Sequence, residues 1–193
     1  MKSVLSILSL LAIASAASAS SIVVNGDFET NSYGAGNHII PATVTGWTQT
    51  SPGVVAGIGA GYLNAPSQEI DLSGVTDNSS GTGMYQDLIT TPGQAYNLSL
   101  DVYTGGSLGH TGGVNVRIDN NPLLASNLQG FNRTNYAMSF TASSATTRLW
   151  LTSDHGNVSH VDNVSVQAVP EPASMAALGL GALGLLRRRR SAK

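Results

Sequence analysis

Cysteine is absent from the 193-residue chain. The sequence therefore excludes a disulfide framework, a thiol nucleophile and any metal centre held by cysteine. Side-chain packing, or a bound ion, must stabilise whatever domain the chain forms. Once the two ends are set aside, about 150 residues remain, which is the size of one domain with an ordinary core.

Cations are scarce in the central part of the chain. Between Ser20 and Val169 there is no lysine, and the basic residues are Arg117, Arg133 and Arg148, against ten acidic residues. Three minus ten gives a net charge of −7 for this part. Nucleic-acid binding depends on neutralising phosphates, so we expect no nucleic-acid partner. Neutral glycans, cations and other proteins remain candidate partners.

The N-terminus begins with a short basic stretch that contains Lys2, followed by an apolar run over residues 4–14 and by the small residues Ala17 and Ala19. This order is that of a secretory signal peptide. We predict a signal helix, export through the Sec machinery and cleavage after Ala19, so that residues 1–19 are removed.

The C-terminal end has three parts, which are Pro170, Glu171 and Pro172, then an apolar run over residues 173–186, then Arg187, Arg188, Arg189 and Arg190. A helix of about 14 residues reaches only about 21 Å, short of the roughly 20 residues that a stable spanning helix needs. The run therefore predicts transient membrane contact rather than a permanent anchor. The arginines favour the cytoplasmic side, which places the rest of the chain across the membrane.

This order of parts resembles the PEP-CTERM sorting signal of Gram-negative bacteria, and we assign residues 169–193 to it. The resemblance implies recognition by an exosortase and removal of the tail near residues 170–172. It also implies delivery to the cell envelope, the cell surface or the extracellular polysaccharide matrix.

The segment between the two ends carries a β pattern. Apolar and polar residues alternate over residues 96–103, 114–118 and 148–152, and less regularly over residues 161–166, where we expect an irregularity near Asp162. Such short alternating runs, separated by turn-forming residues, are typical of an antiparallel β-sandwich. We predict an all-β domain over residues 20–168 with about seven to nine strands in two sheets.

Four motifs add a second resemblance, in the order NGDFE at residues 25–29, GW at 46–47, GMYQDL at 83–88 running on to TPG at 91–93, and VDNVSV at 161–166. Their order resembles the galactose-binding-like jelly roll, in particular that of carbohydrate-binding modules. The resemblance implies a jelly-roll β-sandwich with glycan as its ligand. The signal helix and the short apolar C-terminal helix would flank this domain.

The same resemblance implies one structural calcium ion where the first and last strands meet. By position in the motifs, Glu29 and Asp162 would supply carboxylates, with Asp27 as a further candidate and main-chain oxygens completing the shell. Calcium takes six to eight oxygen ligands and tolerates irregular geometry. The alternative is that these side chains cap turns or make surface hydrogen bonds.

For glycan binding, the useful feature is an aromatic ring beside hydrogen-bonding groups on a solvated sheet face. The alternation predicts this for Trp150, which has Arg148 on the same face, and for Tyr103, which has Asp101 on the same face. The alternative is that these rings lie under loops or are ordinary exposed residues. We expect Trp47 to pack in the core or at a strand edge rather than to form a ligand platform.

Catalysis finds little support in the sequence. There is no nucleophile-elbow pattern, and a glycosidase would need two carboxylates across a cleft. Glu69 and Asp71 share one face of a predicted strand, where we expect a solvated edge. We therefore predict a non-catalytic glycan-binding protein. A structural or adhesive protein that binds protein partners is the first alternative, and a cryptic glycoside hydrolase is the second.

Overall fold

Eleven β-strands and one short 3-10 helix, Tyr62–Asn64, run through the described part of the chain. The computed structural model describes residues 20–40, 43–50, 55–74, 81–105, 112–156 and 158–170. Ser20–Val169 forms one compact unit. Among the described residues, no helix has the length and apolar character needed to cross a membrane.

The strands form two sheets in which all pairs are antiparallel. The six-stranded sheet contains, in spatial order, β1 (His38–Ile39), β3 (Ala56–Ile58), β4 (Glu69–Asp71), β11 (His160–Ala168), β6 (Ala95–Tyr103) and β9 (Thr134–Thr141). The five-stranded sheet contains β2 (Thr48–Gln49), β5 (Gly83–Ile89), β10 (Thr146–Gly156), β7 (Gly112–Ile118) and β8 (Leu123–Leu128).

The core lies between the sheets and consists of the apolar residues of the alternating runs. Their side chains are at most 5% exposed: Leu98, Leu100, Val102, Val114, Val116, Ile118, Leu149, Leu151, Val161, Val164 and Val166. Each fully buried Leu or Val contributes roughly 1.5–3 kcal/mol relative to an exposed one. The predicted all-β sandwich and the inward face of each run are confirmed.

An irregularity interrupts β11 at the expected place. The pairing with β6 shifts register between Asp162 and Ser165, and Asn163 has a left-handed φ of 50°. Next to this bulge, the N–H of Val164 donates to the carbonyl of Gly26 at 2.8 Å. A Cβ at Gly26 would collide with the Val164 carbonyl oxygen, so only glycine allows this close approach.

The opening motif is anchored in the core by its phenylalanine. Phe28 is fully buried at a φ of 55°, and its ring centroid lies 5.8 Å from that of Trp47. The Trp47 indole donates from Nε1 to the carbonyl of Asn25 at 3.1 Å. Trp47 is 7% exposed and packs in the core, as the sequence predicts.

The number of strands exceeds the expected seven to nine. The additional strands include β1 to β4, which have two or three residues each and lie in a segment without alternation. Strands this short leave no periodic signal, because period-two alternation needs at least four residues to be seen. The two predicted terminal helices fall outside the described residues.

Candidate functional site

The outward face of the five-stranded sheet carries a row of three large side chains. Trp150 of β10 pairs in register with Tyr85 of β5 on one side and with Arg117 of β7 on the other. Residues directly opposite each other in a ladder project from the same face. Leu149 and Leu151 are fully buried, so this row points away from the core. We call Tyr85, Trp150 and Arg117 the aromatic row.

The aromatic row is held together by ring and cation–π contacts. The Tyr85 and Trp150 ring centroids lie 4.7 Å apart with a tilt of 46°. The Arg117 guanidinium lies 4.7 Å from the Trp150 centroid, and that of Arg148 lies 3.9 Å from the Tyr85 centroid. Contacts of this kind fix the orientation of both partners. All four side chains remain partly accessible to solvent.

A polar row runs beside the aromatic row, with Arg148 at its centre. Its Nε and Nη2 donate to the two carboxylate oxygens of Asp87 at 2.6 and 2.7 Å. Its main-chain N–H donates to Asp119 Oδ1 at 2.7 Å. The hydrogen bonds from Arg148 hold the pKa of the Asp87 carboxyl below its usual value. This fork-like geometry fixes both side chains of the pair.

On the other side of the aromatic row lie smaller polar groups. Thr152 pairs with Asn115 and with Gly83, which has no side chain. Asn115 Nδ2 donates to Asp154 Oδ1 at 3.0 Å, and the other oxygen of Asp154 lies 2.7 Å from His155 Nδ1. Hydrogen bonds from His155 and Asn115 lower the pKa of Asp154. The rings are thus flanked by hydrogen-bonding groups on both sides.

Arg117 differs from the other two arginines of the domain. Arg148 is paired with Asp87 and Arg133 with Glu69. Arg117 forms no ion pair with any residue that the structure describes. Its guanidinium rests on Trp150 and keeps hydrogen-bond donors available to a ligand.

The four predicted ligand-binding residues lie on different sheets. Trp150 and Arg148 are together on the five-stranded sheet, whereas Tyr103 and Asp101 belong to β6 of the other sheet. Tyr103 is 5% exposed, and the Arg133 guanidinium lies 4.3 Å from its ring centroid. The prediction of an outward, solvent-facing Tyr103 ring is wrong, because neighbouring side chains cover it.

Asp101 is engaged within its own sheet. Its carboxylate accepts hydrogen bonds from Asn135 at 2.7 Å and from Asn163 at 2.9 Å. Sequence reasoning did not single out Tyr85, Asp87, Arg117 or Asn115, although they lie on the same face as Trp150. The alternation of β5 and β7 could have placed them on an outward face, but strand order was needed to bring them to Trp150.

The three predicted calcium ligands are held by hydrogen bonds. Both oxygens of Glu29 accept from Gln68, at 2.7 Å from its main-chain N–H and 2.9 Å from Nε2. Asp162 Oδ2 accepts from Ser67 at 2.8 Å, and Asp27 Oδ1 accepts weakly from the Glu29 N–H at 3.4 Å. The opening and closing motifs thus both contact one loop, at its consecutive residues Ser67 and Gln68.

These carboxylates do not form a metal site by side chains alone. Across the described ranges, no group of three or more His, Cys, Asp or Glu side chains is placed to hold a metal ion. Main-chain oxygens would have to supply most of a calcium shell there. Calcium stays a prediction.

Asp162 has the most unusual carboxyl environment of the three. Burial raises its pKa, and the nearby Glu69 and Asp101 charges add to that rise. Hydrogen bonds from Ser67 and the Asn163 N–H oppose it, and the resulting pKa is about 7. An Asp that titrates near neutral pH at a buried position costs stability whenever it is ionised.

A buried charged cluster lies on the outward face of the six-stranded sheet, beneath other side chains. Glu69, Asp71 and His160 are each at most 2% exposed. Glu69 Oε1 is 2.5 Å from Arg133 Nη2, and the His160 ring lies 3.5 Å from Glu69 and 3.6 Å from Asp71. The expectation of a solvated edge at Glu69 and Asp71 is wrong. These three side chains are therefore shielded from solvent.

Comparisons with known proteins agree with this architecture. Residues 168–190 match the family described as the PEP-CTERM protein-sorting motif, and no curated protein matches the chain. The fold is similar to that of TmCBM61, solved in complex with β-1,4-galactotriose, with a TM-score of 0.51 at 10% identity over 77% of this chain and 99% of that one.

The fold is also similar to that of a protein of Bacteroides thetaiotaomicron VPI-5482 that is named for suspected sugar binding. The TM-score is 0.50 at 15% identity over 77% of this chain and 100% of that one. The sorting motif marks an exported, exosortase-processed surface protein. The chain therefore carries a PEP-CTERM sorting motif at its C-terminus, behind a domain with the jelly-roll fold of carbohydrate-binding modules.

Proposed function

We propose that this chain is an exported surface or extracellular-matrix protein of a Gram-negative bacterium whose β-sandwich binds glycan without catalysis. The observation that carries the proposal is the aromatic row, Tyr85, Trp150 and Arg117, flanked by polar groups on a solvated sheet face. The ligand is an exopolysaccharide or another glycan. Export through the Sec machinery and processing by an exosortase bring the domain to it.

The chemistry of the face suits a sugar ring. A pyranose presents a C–H face that packs against aromatic rings and a rim of hydroxyls that both donate and accept hydrogen bonds. The aromatic row supplies the apolar surface, while Arg117 and Asn115 supply donors and Asp87 supplies acceptors beside it. The names of the similar structures, which concern sugar binding, support the same ligand class.

The absence of catalysis is part of the proposal. Asp87 and Asp119, which lie beside the aromatic row, are both engaged by Arg148. Glycoside hydrolysis needs one carboxyl group free to give a proton and another to attack or activate water. The pairing with Arg148 instead suits the role of fixed hydrogen-bond acceptors.

The test is a glycan array probed with the purified domain, residues 20–169, and three variants. Trp150→Ala and Tyr85→Ala should each abolish or strongly weaken the signal. Phe131→Ala is the matched control, because Phe131 is an aromatic residue that is 56% exposed and lies in the loop between β8 and β9. It should bind like the wild type.

Two results would count against the proposal. If the folded domain binds no glycan, the alternative of a structural or adhesive protein with protein partners takes its place. If binding survives both substitutions in the aromatic row, the glycan site lies elsewhere on the domain. Release of reducing sugar from a bound glycan would instead favour the hydrolase alternative.

A further inference from the structure

The last strand of the domain ends in a two-sided clamp on Val169. The N–H of Val169 donates to the carbonyl of Ala95 at 2.9 Å, and its carbonyl accepts from Gln94 Nε2 at 2.7 Å. The same Gln94 amide donates to the Ala95 carbonyl at 2.9 Å. Pro170 follows, and it has no N–H with which to continue the ladder. Pro170 is exposed.

The sorting motif overlaps this clamp. The match to the motif begins at residue 168, while β11 extends to Ala168 and pairs it with Tyr96 of β6. The first residues of the motif are therefore held inside the folded domain.

Gln94 is itself firmly placed. Its N–H donates to the Thr91 carbonyl at 3.0 Å, and its carbonyl accepts from the N–H of Ala142 at 3.0 Å. The turn that contains it is also tied by the Gly93 N–H, which donates to the Ala142 carbonyl at 2.8 Å. With both main-chain groups fixed, the side chain reaches Val169 from a rigid base.

Strand pairing and proteolysis compete for the same main-chain groups. A peptidase binds its substrate as an extended, unpaired segment, so residues in a ladder must open locally before they can be cut. When opening is fast, the rate of cutting follows the population of the open state. Residues up to Val169 are protected in this way.

The sorting motif implies removal of the tail near residues 170–172, and we propose that the Gln94 clamp on Val169 limits the access of the exosortase to this junction. In this step the C–N bond of one peptide group breaks, water adds to the carbonyl carbon, and the released amine takes the proton. The mature domain keeps both bonds to Val169, so β11 stays complete after the tail is lost. This inference rests on the sorting motif and is independent of the glycan proposal.

The test uses the full chain expressed in a host that contains an exosortase. Intact mass of the mature protein should place its C-terminus at Val169 or later. In a pulse–chase experiment, Gln94→Ala should be processed about two- to tenfold faster, which is the effect of removing one hydrogen bond from the closed state. Gln167→Ala is the matched control, because Gln167 lies in β11 and its side chain bonds only to Ser165 among the described residues. Its rate should equal that of the wild type.

Limited digestion of the same full-length variants with a non-specific protease separates access from recognition. Gln94→Ala should be cut faster than the wild type at this junction, and Gln167→Ala should not, while all three keep the same melting temperature within a few degrees. A mature C-terminus before Val169 would overturn the proposal. So would a Gln94→Ala processing rate equal to or below that of the wild type, whatever the protease shows.

Discussion

Tyr85 of β5 and Trp150 of β10 lie opposite each other in register, with ring centroids 4.7 Å apart. Arg148 stacks on Tyr85, and Arg117 stacks on Trp150. Neither ring can therefore adopt another rotamer without losing a contact. A platform that is ordered before the ligand arrives loses less conformational entropy on binding. The aromatic row is therefore preorganised for a ligand.

Substitutions of Arg117 and of Arg133 should affect glycan affinity and stability separately. Arg117→Gln removes a donor group of the aromatic row and breaks no ion pair among the described residues. We expect it to weaken glycan binding about five- to tenfold, equivalent to about 1 kcal/mol, with little change in melting temperature. Isothermal titration with the best array ligand and a thermal melt measure the two effects.

Arg133→Gln should lower stability and leave glycan affinity unchanged. Arg133 neutralises Glu69, which is 2% exposed, and breaking a buried ion pair costs about 3–5 kcal/mol. The variant's affinity for glycan should be unchanged, because the Arg133 guanidinium packs on Tyr103 of the other sheet, away from the aromatic row. Equal losses of affinity in the two variants would show that binding does not depend on the aromatic row.

His160 should make the domain sensitive to alkaline pH. Burial by itself lowers the His160 pKa, but the carboxylates of Asp71 and Glu69 outweigh it and raise the pKa to about 9. The charged cluster also contains Arg133 and faces His38. Because the unfolded histidine titrates near 6.5, this stabilisation is present in full below about pH 6.5 and is lost as the pH rises through 9. The loss is about 3 kcal/mol.

Urea unfolding between pH 6 and pH 10 measures this loss. His155→Gln is the control for removing a histidine, since His155 is exposed and lies outside the buried charged cluster. His160→Gln should flatten the curve above pH 6.5 and lower stability at pH 6, because it leaves Asp71 and Glu69 without their shared cation. A wild-type curve that is flat up to pH 10 would contradict the assigned charge state.

Asp162 should change stability in the same direction as His160, but at lower pH. Its folded pKa of about 7 exceeds the unfolded value of 3.8, so the folded state binds the proton more tightly. Stability must then fall as the pH rises from about 4 to about 7. Without divalent cations at pH 8, Asp162→Asn should be more stable than the wild type by on the order of 2 kcal/mol. At pH 4 the two should be equal.

Denaturant unfolding of both proteins across pH 4–8, in the presence of a chelator, gives the comparison. Asp154→Asn is a suitable control, because Asp154 is a partly exposed carboxylate on the other sheet. Lower stability of Asp162→Asn at every pH would mean that its hydrogen bonds to Ser67 and Asn163 outweigh the burial of its charge.

Addition of calcium tests directly whether the predicted ion binds. If Asp162 and Glu29 contribute to a calcium site, calcium at about a hundred times its dissociation constant stabilises the domain by about 2.7 kcal/mol. The melting temperature should rise by roughly 5–10 °C and fall again with chelator. Glu29→Gln and Asp162→Asn should each remove the response, and Asp154→Asn should keep it. Identical melting temperatures in calcium and chelator would exclude the ion.

Alternation in the sequence predicted much of the sandwich. Leu98 and Leu100 in β6, and Leu149 and Leu151 in β10, point inward as the period of two requires. The irregularity near Asp162 was also visible, because two polar residues interrupt the apolar period there. These features are local, so the sequence alone predicts them.

Burial by neighbours in space was not visible in the sequence. Tyr103 occupies an outward position in β6, yet Arg133 from the loop between β8 and β9 covers its ring. Glu69 and Asp71 share an outward face in the same way and are buried with His160. An alternating pattern assigns a face to each side chain, but it carries no information on what packs over that face.

The sequence by itself determined the C-terminal sorting motif, the charge of the domain and its all-β character, because each depends on composition or on order along the chain. The tertiary structure alone decided that Tyr85 and Arg117 flank Trp150, that Asp101 and Tyr103 belong to the other sheet, and that Gln94 holds Val169. Strand order and register bring together residues far apart in the chain, and both are fixed by the packing of the whole sandwich rather than by any one segment.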